Sequence, residues 1–108
     1  MSRFMLQFAY TPGARHAMVK NPMDREAAFR SLAENMGVTF ISLDYSFGDY
    51  DGVVIIESPD SRTALSIVLA GITPGHLKST KTTELFTVQE MTGALQLAGA
   101  VHYPGPQH

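Results

Sequence analysis

Two aspartates, Asp44 and Asp51, sit on either limb of the short segment SFGDY. Paired carboxylates are the raw material of acid–base chemistry. Held close together in a half-buried setting they cannot both ionise freely, so one keeps a proton while the other stays charged. Their separation depends on the turn between them. Read as a two-residue turn with Gly48 taking a positive φ, Gly48-Asp49 sets Phe47 opposite Tyr50, Ser46 opposite Asp51, Tyr45 opposite Gly52, Asp44 opposite Val53 and Phe40 opposite Glu57. Asp44 and Asp51 then become diagonal neighbours roughly 6 to 8 Å apart on one sheet face. A plainer role for Asp51 is a local hydrogen bond to Ser46 or to a backbone amide. Gly52 is expected to leave room for the ring of Tyr45.

Other residues capable of chemistry are scattered. Tyr10 closes the first strand and can offer its hydroxyl to a ligand, with its ring in the core. His16 and His76 lack the i, i+3 or i, i+4 spacing of a metal site, and Asp49, Asp51 and Glu57 do not match a calcium loop. Lys78 and Lys81, among Thr80, Thr82 and Thr83, can line an anion site or guard an edge strand against aggregation; edge protection is favoured. The six methionines read as core. No cofactor or metal is expected.

Composition narrows the function classes. With a formal charge of −2 and no run of adjacent Lys or Arg, the chain offers no footprint for nucleic acid or an anionic membrane. Cysteine is absent, which removes disulfides, thiolate metal sites and cysteine nucleophiles. Met1-Ser2-Arg3 leads straight into a strand-like segment without the features of a secretory signal, so a cytoplasmic location is expected. Hydrophobic residues are 44% and charged residues 17%, an apolar balance that implies surface covered by a partner.

The elements that must position these residues follow from periodicity. RFMLQFAY alternates as a strand with Phe4, Leu6, Phe8 and Tyr10 on one face. Thr11-Pro12 opens a helix to about Lys20. Asn21 caps a second helix with Pro22 in its first turn, and Ala28, Phe29, Leu32, Ala33 and Met36 recur at helical spacing before Gly37. Residues 38 to 47 and 50 to 57 read as strands. Asp60 begins a helix carrying Ala64, Leu65, Val68, Leu69 and Ile72, and residues 76 to 86 form a fourth strand. Thr87 and Glu90 make a capping box for a last helix.

The order βαββαβ plus a C-terminal helix is the α+β ferredoxin-like arrangement, with an antiparallel four-stranded sheet and helices on one face. Residues 1–98 are expected to be one domain and 99–108 a tail. The exposed sheet face, carrying Phe40, Ser42, Asp44, Asp51, Val53, Ile55 and Glu57, is expected to pack against a second copy as a homodimer, with higher assembly open.

Several phrases resemble the GYD domain family. Tyr45 to Asp51 is similar to its YTFGxYD phrase, Asn21-Pro22-Met23-Asp24-Arg25 to its Asn-Pro-x-Asp-Arg, Glu57-Ser58-Pro59-Asp60 to its Glu-x-Pro-Asp, and Thr87 to Glu90 to its Thr-x-x-Glu. The likeness runs to about residue 98. It departs at GHLKSTKTT, where Lys78 stands in for an arginine of the family. The resemblance implies a dimeric α/β barrel, a fold shared by cofactor-free monooxygenases, isomerases and binding proteins.

Three functions are carried forward. The first is a dimeric module binding a small, partly apolar ligand between the open face and nearby helix ends, through Tyr10, Phe40, His76, Lys78 and Lys81. The second is a cofactor-independent monooxygenase or isomerase with Asp51 or Asp44 as base, Tyr10 or His76 as partner and Phe40 against a planar substrate. The third is a structural interaction domain. The sequence does not decide whether the chain is an enzyme.

Overall fold

The computed structural model describes residues 1–102, 104 and 105. In chain order its elements are β1 (Ser2–Tyr10), α1 (Pro12–Lys20), α2 (Arg25–Asn35), β2 (Thr39–Tyr45), β3 (Gly52–Ser58), α3 (Ser61–Ile72), β4 (Leu77–Leu85) and α4 (Val88–Ala100). The four strands form one antiparallel sheet in the order β2-β3-β1-β4. This is the ferredoxin-like α+β fold, with β4 an edge strand. Part of the expected tail, Tyr103 and 106–108, lies outside the described residues.

Capping residues start every helix. Thr11 accepts from the Ala14 amide at 3.1 Å, Asp24 from Ala27 at 3.1 Å and Asp60 from Thr63 at 2.8 Å. Thr87 and Glu90 exchange both bonds of a capping box. The second helix therefore opens at Asp24 rather than Asn21. Asn21 instead closes α1, its amide donating to the Ala17 carbonyl. Gly37 and Gly75 take φ of 72° and 83° at the ends of α2 and α3, where a side chain would be strained.

The core lies between one sheet face and helices α2 and α3: Phe4, Leu6, Val54 and Ile56 from the sheet meet Ala33, Val38, Ala64 and Ile67. Two features differ from the alternation in the sequence. A bulge in β2 sets Phe40 opposite Ile56 and Ser42 opposite Ile55, leaving Ile41 as the extra residue. Strict alternation would put Phe40 on the open face; with the bulge both Phe40 and Leu43 face the core. Phe40 packs on Phe29 at a centroid distance of 5.9 Å, with the Arg30 guanidinium 4.4 Å over its ring. Burying a phenylalanine is worth about 2–3 kcal/mol, enough to favour the bulge.

The second difference is the turn. Ser46 and Asp51 do face each other, the Ser46 amide donating to the Asp51 carbonyl at 2.8 Å. Phe47 to Tyr50 form a longer loop between them. Gly48 has no positive φ, and the Ser46 hydroxyl donates to the Tyr50 carbonyl at 2.6 Å. Phe47, at the start of this loop, is fully exposed.

Candidate functional site

Asp51 is held at the end of the sheet by backbone as much as by side chains. Its amide donates to the Phe8 carbonyl at 2.8 Å, and its Oδ2 accepts from the Tyr10 amide at 2.8 Å and from Arg15 of α1 at 3.2 Å. The bond from the Tyr10 amide is the main reason its carboxyl is lowered below the usual range; burial opposes this, and Arg15 and Lys78 reinforce it. An acid placed this way is an ionised acceptor joining β1, β3 and α1. Of the two roles expected for Asp51, this is the plainer one, a hydrogen bond from a backbone amide; the alternative, two acids sharing the open face with one of them protonated, is not what the structure has. Asp51 turns toward α1, whereas Asp44 is exposed on β2 opposite Val53.

Gly52 is explained by a different ring from the one expected. It pairs with Phe8 across β1 and β3, and a Cβ there would fall within 3.0 Å of three atoms of the Phe8 ring. Tyr45, opposite Gly52 on the other side, is more than half exposed. The glycine leaves room for the far end of the Phe8 ring, and Phe8 in turn meets Tyr10 edge to face at 5.3 Å.

Tyr10 is the buried polar centre of this region, only 6% exposed. Burial pushes its hydroxyl up to about 12, helped by Tyr45, while the nearby Arg25 guanidinium pulls the other way. Tyr10, Arg25 and His76 together border two cavities. One, of about 190 Å³, lies under α1 against Ala14, Ala17 and Met18. The other, of about 220 Å³, runs between α2, α3 and the sheet against Phe29, Leu43 and Leu77. Neither has an acidic side chain in its lining. Chain geometry fixes the three polar residues: Tyr10 ends β1, Arg25 is the first residue of α2 after its Asp24 cap, and the His76 carbonyl accepts from the Thr11 amide at 2.9 Å.

Of the five residues expected to bind ligand, the structure brings Tyr10 and His76 together. Phe40 is turned into the core by the bulge and is 8% exposed, so it cannot hold a planar group on the open face. Lys78 is the extra residue where the β1–β4 register shifts, and Lys81 lies opposite Gln7; both are exposed on the edge strand. Arg25 and Arg15 were not singled out in the sequence. With the cap read at Asn21, the one signal for Arg25 was its place in the Asn21-Pro22-Met23-Asp24-Arg25 phrase; Arg15 had none. Among the described residues no group of three potential ligands is placed to hold a metal ion.

The sheet order, helix placement and connections define a ferredoxin-like α+β protein, and solved structures share that fold. A crystal structure of MtbAldR aligns with TM-score 0.58 at 13% identity over 80% of this chain and 53% of that one, so this chain spans about half its length. FFRP-DM1 aligns with TM-score 0.55 at 13% identity, covering 80% of this chain and 100% of that one. TTHA0845 from Thermus thermophilus aligns with TM-score 0.51 at 15% identity, covering 82% and 96%. At these identities the likeness concerns the fold alone. A search of curated proteins finds no match. The profile of the GYD domain matches residues 4–95, and the chain belongs to the GYD domain family.

Proposed function

We propose that this GYD domain binds a small anionic molecule with a compact apolar body, held in the cleft under α1 and between α2 and α3. The observation that carries the reading is the convergence of Tyr10, Arg25 and His76 on two apolar cavities without an acid in their linings. A guanidinium meets a carboxylate through paired, charge-assisted hydrogen bonds, and Tyr10 and His76 add donors beside it. Drug-sized sites occupy about 300 Å³ or more, so cavities of about 190 and 220 Å³ suit a small ligand. Asp51 serves as the brace that ties α1, the roof of the cleft, to the strand ends.

The same chain is proposed to assemble with itself through the open sheet face. Met5, Val53 and Ile55 form its apolar centre, the 3.1 Å Arg3–Glu57 pair lies at one end, and Asp44 and Lys81 mark opposite edges. A two-fold pairing of such faces covers the apolar centre and brings each acid edge toward a basic one.

Ligand binding is tested by titrating the isotope-labelled protein with a panel of small apolar carboxylic acids and following amide and side-chain shifts. Saturable shifts centred on Tyr10, Arg25 and His76 are expected. Shifts that never saturate, or that centre on the open face, would sink the reading.

A further inference from the structure

Among the described residues the last helix is folded but covers no other element. None of α4 is buried, and it has at most marginal contact with any other element of its own chain. The molecule is correspondingly extended, 62 Å along its longest axis with a radius of gyration of 17.9 Å, against about 13 Å for a compact chain of this size. A free helix of thirteen residues is marginal in water, so its order calls for packing from elsewhere. Its sequence, VQEMTGALQLAGA, holds a single charge in those thirteen residues. Val88, Met91, Leu95 and Ala98 fall on one face at helical spacing, and the first three are more than half exposed.

A second uncovered stripe exists on the same chain. The inner face of α3 supplies Ala64 and Ile67 to the core, but Leu65 and Leu69 point outward more than half exposed, with Ile72 at 39% continuing the row. After Arg62 this helix contains no charged residue. Among the described residues α3 and α4 have at most marginal contact, and both stripes stay exposed. Only Phe86 and Thr87 separate β4 from α4, and the capping box at Thr87 and Glu90 sets the direction in which the helix leaves the sheet.

We propose that α4 docks in trans, its Val88–Met91–Leu95–Ala98 stripe lying along the Leu65–Leu69–Ile72 stripe of α3 in a second copy of this chain, reciprocally. Both rows have the 3- and 4-residue spacing that lets ridges enter grooves, and both are uncharged, so each offers the other what neither offers a basic or acidic partner. The contact uses the helix side of the molecule. It therefore coexists with pairing through the open sheet face, and the two together build assemblies larger than a dimer.

The natural chain has no cysteine, so a Leu69→Cys/Leu95→Cys variant carries only the two thiols of interest. Mild oxidation is expected to give a covalent dimer on a non-reducing gel, with a 69–95 disulfide between chains identified by peptide mass spectrometry. A purely monomeric product, or only 69–69 and 95–95 links, overturns the proposal. Independently, Met91→Glu/Leu95→Glu is expected to lower the assembly mass in sedimentation, and adding Leu65→Lys/Leu69→Lys to restore it. An unchanged mass in the glutamate variant overturns it as well.

Discussion

Asp51 shows how one side chain can be claimed by structure. Accepting from the Tyr10 amide and Arg15 fixes it as a carboxylate. Because its folded value lies below the unfolded one, its contribution is present above about pH 4 and is lost as pH falls through the folded value. Asp51→Asn is expected to cost about 1–2 kcal/mol at neutral pH by urea denaturation, the scale of a partly exposed charged hydrogen bond, with the loss shrinking toward pH 3. An equal loss at both pH values would contradict the assignment. Gly52→Ala is expected to cost about 1–3 kcal/mol because Phe8 must leave its place. In a double-mutant cycle with Phe8→Leu the two losses should fall short of their sum. The sequence made Gly52 a space-giving glycine but named Tyr45 as the ring, because the turn couples β3 to β2 visibly while the pairing of β3 with β1 is long-range.

At the level of elements most of the architecture was legible. Alternation in RFMLQFAY, the helical spacing through Met36 and the Thr87–Glu90 box all appear where periodicity and capping put them. What alternation could not show was the bulge. A period of two assigns faces by parity, so one extra residue at Ile41 reverses every assignment before it, Phe40 included. The candidate site suffered from the same limit. Tyr10 and His76 were legible as strand-end residues, but Arg25 enters only once α2 lies over the sheet, and Asp44 and Asp51, although in the expected register, separate because the Asp51 carboxylate turns to the Tyr10 amide and Arg15. The start of α2 also moved from one capping residue to another. Asp24→Ala is expected to lower stability by about 1 kcal/mol in thermal melts, whereas Asn21→Ala, which retains the backbone bond closing α1, should change it by less than half as much. Equal effects would contradict the observed cap.

For the whole molecule, the fold leaves one sheet face and one helix uncovered while a cleft forms on the other side. If the open face pairs with a second copy, a charge at its apolar centre must be buried unpaired. Ile55→Glu is expected to reduce the sedimenting mass at a concentration where the unaltered chain is assembled, with the far-ultraviolet dichroism unchanged. An undiminished mass would show that this face is not the contact. No helix of the described residues is long and apolar enough to cross a membrane. The ferredoxin-like frame is shared with proteins of very different size, so the fold by itself does not specify a function.

The selectivity proposed for the cleft rests on charge. Calorimetric titration of a small apolar carboxylic acid and of its uncharged amide, against the natural chain and Arg25→Gln, isolates the role of the guanidinium. The natural chain should prefer the acid by about tenfold or more, the value of one charge-assisted hydrogen bond, and Arg25→Gln should erase that preference while leaving the amide's affinity unchanged. Equal binding of acid and amide by the natural chain, or a preference that survives in Arg25→Gln, would contradict an anion-holding cleft built around Tyr10, Arg25 and His76.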